Sequence, residues 1–136
     1  MIDEAEQQEV VRIATDYFLQ ELGSKEAADD AMAKLATLVQ DKGAKLVHLG
    51  NVLFLILVRG KGVVEVHTIG NEPNPRDLAK DFVDLANYLK NIGTKVAYTY
   101  SEDNKFDRLA RMTGLPVKKA QTEVDGKTVN VYIMEF

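Results

Sequence analysis

The sequence contains no cysteine, which excludes a disulfide framework, an iron–sulfur cluster, a thiolate zinc site and a cysteine nucleophile. Histidine is scarce. Glu65 and His67 share one segment and only His48 lies elsewhere, a set that falls short of a closed metal site, so no metal is expected. Positive charge is in deficit as well. Lys and Arg number 17 against 21 Asp and Glu, and the formal net charge of -4 argues against nucleic acid, whose binding rests on clustered cations that release counterions. Long apolar runs are missing too. The longest, Leu46 to Val58, is interrupted by His48, Gly50 and Asn51, and a bilayer crossing takes about 20 residues. The opening Met1-Ile2-Asp3-Glu4 is acidic where a secretory signal is basic. The expectation is a soluble intracellular protein without membrane contact.

What the chain does have is ordinary globular composition: 136 residues, 46% hydrophobic and 28% charged. A chain of this length hides roughly two-thirds of its unfolded surface and needs no staple. One domain over residues 1–136 is expected, with two helices in 1–42 and a sheet with two further helices in 43–136. Val10, Ile13, Ala14, Tyr17, Phe18 and Leu22 recur at helical steps, and Gly23 supplies the stop. Ser24 caps a second helix with the stripe Ala28, Ala31, Met32, Leu35, Leu38 and Val39. Three short apolar segments follow, 44–49, 52–59 and 63–69, separated by Gly50-Asn51 and Gly60-Lys61-Gly62, the grammar of an antiparallel meander. The second is apolar on both faces and is expected to be the central strand.

Pro75 or Arg76 opens a helix to Ile92, with Leu78, Phe82, Leu85, Ala86 and Leu89 inward and Gly93 as its stop. A strand at 95–100, reached across that helix, should lie parallel to 63–69. Ser101 is expected to cap a helix that Gly114 ends, with Glu102 and Asp103 in its first turn. Segments 117–123 and 128–136 pair around Asp125-Gly126, a strong hairpin signal, and the second reads as an interior strand.

This order, ααβββαβαββ, together with the run Asp103 to Leu115, resembles the GNAT acyltransferase family, in which a strand leads through an Asn-containing turn into a helix ending in a Gly-Phe pair; Gly114-Leu115 stands at that pair. The resemblance covers about residues 43–136. It implies an α/β (α+β) fold: a mixed, mostly antiparallel central sheet with helices on both faces. It also implies a coenzyme A cradle of backbone N–H groups before the long helix and a Tyr in the later helix. At the first place stand Glu72, Pro73 and Pro75, which remove donors and add repulsive charge; at the second stands Ala110. Small GNAT-like virion or head-assembly proteins of short-tailed bacteriophages show the same losses. The function expected first is therefore a non-catalytic phage protein, in the host cytoplasm or the virion, needing no cofactor. It would work through contacts with phage structural proteins or a host factor, in the latter case as a small binding or inhibitor module. The alternative is an acetyl-CoA-dependent N-acyltransferase acting on a small amine or a protein N-terminus.

For that alternative the candidate residues are as follows. Glu65 and His67, two apart on one strand, share a face and offer a general base with its orienting partner. Arg76 and Lys80 would meet the phosphates of acetyl-CoA. Tyr98 and Tyr100 share a face of their strand, where they would line or plug the slot for the acyl-pantetheine arm. Arg108, Arg111, Lys118 and Lys119 form a basic group, read as a solvated face rather than a polyanion site.

Overall fold

The computed structural model describes residues 4–136; Met1 to Asp3, part of the acidic opening weighed above, lie outside the described residues. Ten elements follow one another: α1 (Glu4–Leu22), α2 (Lys25–Asp41), β1 (Lys45–Leu49), β2 (Val52–Gly60), β3 (Val63–Ile69), α3 (Pro75–Asn91), β4 (Val96–Ser101), α4 (Lys105–Thr113), β5 (Val117–Val124) and β6 (Lys127–Glu135). The six strands form one mixed sheet in the order β1-β2-β3-β4-β6-β5. The β1/β2, β4/β6 and β5/β6 pairs are antiparallel, and β3/β4 is parallel, as a helical crossover requires. The fold class is the one expected from the order of elements.

The chain divides into two compact units. The first comprises the residues up to Leu57 together with His67–Glu72. Its core is aliphatic: Ile13, Ala14, Leu35, Ala44, Leu53, Leu55 and Ile69, flanked by Val10, Tyr17, Phe18, Met32, Leu38, Leu46 and Leu57. The helical stripes read from the sequence supply most of it, although Leu22 is exposed at the end of α1. Ser24 caps α2 by accepting the Ala27 N–H at 3.1 Å. Gly70 has φ +123 and fits only as glycine, since a Cβ there would meet Ile13 Cγ2 at 3.1 Å and the Asn51 carbonyl at 3.2 Å.

The second unit comprises Val58–Val66 and Pro73–Phe136. Leu85, Ala86 and Leu89 of α3, Ala97 of β4, Leu109 of α4 and Tyr132 of β6 are buried in it. Aromatic rings link its helices to the sheet edge-on: Phe82 to Phe106 at 6.3 Å and Phe106 to Tyr132 at 5.7 Å between centroids. Asp125 and Gly126 both take positive φ, 52° and 79°, which makes the β5–β6 turn the mirror-image type that matches strand twist.

Two local expectations are corrected. β2 lies next to the edge strand β1 rather than at the centre of the sheet; its run Val52–Ile56 is buried, but Val58 is 62% exposed, so only part of it is covered on both faces. Ser101 does not cap α4. It is the last residue of β4, and α4 starts after Asn104. Three polar residues separate the two elements, and Asp103 takes the capping work by accepting the Lys105 N–H at 3.0 Å.

Candidate functional site

Glu65 is the one acidic residue of β3, at the third and last rung of the parallel ladder, Val63↔Val96, Val64↔Ala97 and Glu65↔Tyr98. Its neighbours Val64 and Val66 are buried on the opposite face, and Glu65 itself is 8% exposed. A carboxylate that far from water must be partnered. Arg59, at the end of β2, donates from Nε to Glu65 Oε1 at 3.1 Å, and the Tyr98 hydroxyl makes a longer contact to the same oxygen at 3.4 Å. Burial and the Glu65 charge both push the Tyr98 hydroxyl above its ordinary pKa, so it stays a donor. The Glu65 carboxylate in turn raises the Arg59 guanidinium. Tyr98 and Tyr100, on one face of β4 as alternation requires, meet edge-on with centroids 5.4 Å apart, and Tyr100 is 36% exposed. The group therefore runs from a buried carboxylate through a phenol to a ring in contact with solvent. Arg59 escaped the sequence reading. Its signal was the tight Lys61-Gly62 turn between two strands, with opposite charges on its flanks.

The other candidates are placed differently. His67 is half-buried and belongs to the first unit, whereas Glu65 belongs to the second. Arg76 and Lys80 are exposed in the first turns of α3. Asn74 caps that helix: its side chain accepts the Arg76 N–H at 3.0 Å and its carbonyl accepts the Leu78 N–H at 3.1 Å. Pro75 has no N–H, so two of the donors at this helix start are engaged and a third is lacking. Asp77 adds a negative charge in the first turn. His48 bonds the Gly50 carbonyl at 3.0 Å and sits 3.8 Å from Glu6. No cluster of three potential metal ligands occurs among the described residues.

A second polar group joins α4 to the final hairpin and was not read from the sequence, because its members lie far apart in the chain. The Tyr132 hydroxyl donates to Asp107 Oδ1 at 2.7 Å, and Lys119 Nζ reaches Asp107 Oδ2 at 3.0 Å and Asn104 Oδ1 at 2.9 Å. Asn130 donates to the Asp103 carbonyl at 2.8 Å and to Asn104 Oδ1 at 3.0 Å. The bonds from Tyr132 and Lys119 hold the Asp107 carboxyl below its usual range, while burial and the nearby carboxylate raise the Tyr132 phenol. Lys119 and Lys118 thus each have an acidic neighbour, the latter Glu135 at 3.6 Å. Beneath α3 and α4 an apolar cavity of about 100 Å³ is lined by residues that include Leu85, Phe106, Ala110, Tyr132 and Met134.

No family model matches the sequence. No curated protein matches it. Solved structures do. A ribosomal-protein-alanine N-acetyltransferase from Brucella melitensis superposes with a TM-score of 0.64 at 9% identity, over 99% of this chain and 97% of its own. An acetyltransferase from Streptococcus agalactiae gives 0.63 at 14%, over 100% and 94%. A GNAT family acetyltransferase from Elizabethkingia anophelis, with acetyl-CoA bound, gives 0.58 at 13%, over 89% of each chain. The chain has the GNAT fold.

The comparison also corrects the function expected first. The fold neighbours are consistently acetyltransferases, some with CoA or acetyl-CoA bound, and nothing among them supports a likeness to phage virion or head-assembly proteins. No helix among the described residues is long and apolar enough to cross a membrane.

Proposed function

We propose that this protein is an acyl-CoA-dependent N-acyltransferase acting on an amine, with Glu65 as the general base. The observation that carries the reading is the buried Glu65 carboxylate at the last β3/β4 rung, tied through Tyr98 to exposed Tyr100, in a chain whose fold neighbours are acetyltransferases. An ammonium group is no nucleophile; losing a proton to Glu65 gives it the lone pair that attacks the thioester carbonyl. The new C–N bond forms as the C–S bond breaks, and the second proton, shed by the nitrogen after attack, passes through water to the leaving thiolate. Ala110 offers no side-chain acid for that last step. Arg59 fixes the carboxylate through its Nε–H bond to Oε1.

The start of α3 suits coenzyme A through side chains more than backbone. With the Arg76 and Leu78 amides engaged and Pro75 without one, the cationic partners for the phosphates are the side chains of Arg76 and Lys80. Such a site binds without a fixed ring of donors and is therefore salt-sensitive. Thermal denaturation with acetyl-CoA tests the reading. A ligand at a hundred times its dissociation constant stabilises by about 2.7 kcal/mol, a shift of several degrees for a domain of this size. The shift should shrink in Arg76→Ala and Lys80→Ala, and its absence in the wild type would defeat the proposal.

A further inference from the structure

β5 ends the sheet, paired with β6 on one side only, and each of its residues from Lys118 to Val124 is exposed. The hairpin register fixes which of its amides are spent. Val124 and Lys127 flank a two-residue turn and form a bonded pair, so Thr122, Ala120 and Lys118 also direct their N–H and C=O groups to β6. Glu123, Gln121 and Lys119 direct theirs outward. An edge of this length with unspent donors and acceptors is a template for another strand.

We infer that the occupant is β5 of a second copy, antiparallel and centred on Gln121. Two identical strands related by a two-fold axis pair antiparallel only when opposed residues point to the same face, so their numbers must differ by an even count. Centring on Gln121 satisfies this and uses the outward amides of both copies. It sets Lys119 of each copy opposite Glu123 of the other, twice, with Ala120 opposite Thr122 and the Lys118 stem opposite Val124. Centring on Ala120 instead opposes Lys119 to Gln121 and leaves the two Lys119 residues on a same-face diagonal of about 7–8 Å. Charge thus selects one register. Glu123 has no ion-pair partner among the described residues, whereas Lys119 is held on the same side of β5 by Asp107 and Asn104. Lysines on an edge strand ordinarily repel a second strand; here the register matches them with acid.

The chain's lack of cysteine makes the test direct. Sedimentation equilibrium should show a reversible dimer, with Glu123→Lys raising its dissociation constant by about tenfold or more, since it places like charges opposite each other twice. Glu123 is exposed, and an unchanged circular dichroism spectrum would show that the variant folds. Under mild oxidation Gln121→Cys should form a disulfide-linked dimer, at a Cα separation near 5.5 Å, much faster than Ala120→Cys. A strictly monomeric wild type, a dimer indifferent to Glu123→Lys, or equal cross-linking at both positions would each overturn the inference. None of these results depends on whether acyl-CoA binds.

Discussion

The two units of this molecule bury different things. In the first, the buried side chains are apolar throughout, among them Val52, Leu53, Phe54 and Ile56. In the second lie all the buried polar residues found among the described ones: Glu65, Asp81, Thr94, Ser101 and Asn130. Apolar burial stabilises without direction and tolerates rearrangement, whereas a buried polar group costs free energy unless its partner sits at one distance and angle. The first unit is accordingly built for cohesion and the second for geometry, and the proposed base lies in the second.

Substitutions should separate the two kinds of burial, the largest effect coming first. Phe54→Ala empties a site at 0% exposure, and urea denaturation should show a loss of about 3–5 kcal/mol. Asn130→Ala removes the bonds to Asp103 and Asn104 and should cost about 1–3 kcal/mol, the net worth of two hydrogen bonds. A larger loss for Asn130→Ala than for Phe54→Ala would break the comparison. Asp107→Asn sharpens it through pH. The Asp107 carboxyl sits below its ordinary value of 3.8, so it adds stability above that value and surrenders it as pH falls through the folded pKa. The variant should be less stable than wild type near neutrality, with the gap closing on acidification; a gap independent of pH would show that the charge is not what holds the Tyr132 and Lys119 bonds. Smallest is Lys34→Ala, which breaks an exposed pair with Asp30 at 3.1 Å and should change stability by no more than about 0.5 kcal/mol.

Local grammar made most of the fold legible. Gly23, Gly93 and Gly114 follow the helix ends they were expected to mark, each with positive φ, and the crossover through α3 dictated the parallel β3/β4 pair. Errors arose where several residues could do one job. Ser101, Asp103 and Asn104 are all cap formers, and only the end of β4 decides among them. Likewise a run apolar on both faces marks an interior strand, but not its rank in the sheet, as β2 shows. At the site, strand alternation put Tyr98 and Tyr100 on one face, whereas the register that sets Glu65 opposite Tyr98 leaves no trace within either strand. Arg59 and the Asp107–Tyr132–Lys119 group stayed hidden, the latter because its bonds span 12 and 25 residues and leave no periodic trace. The loop Glu72 to Pro75 pointed to a phage protein, a likeness that the fold neighbours do not support.

The decisive measurement is turnover by wild type and Glu65→Gln, read as free thiol released from acetyl-CoA in the presence of a panel of primary amines, with acetyl-CoA affinity followed in parallel by calorimetry. The amide keeps the size of the side chain and one acceptor for Arg59 while losing the basic oxygen. Acetyl-CoA should bind both proteins alike, and kcat should fall by about 10²–10⁴ in the variant, the usual worth of a general base. Equal turnover in the two proteins would remove Glu65 from the mechanism, and a wild type that neither binds acetyl-CoA nor releases thiol would contradict the acyltransferase reading itself.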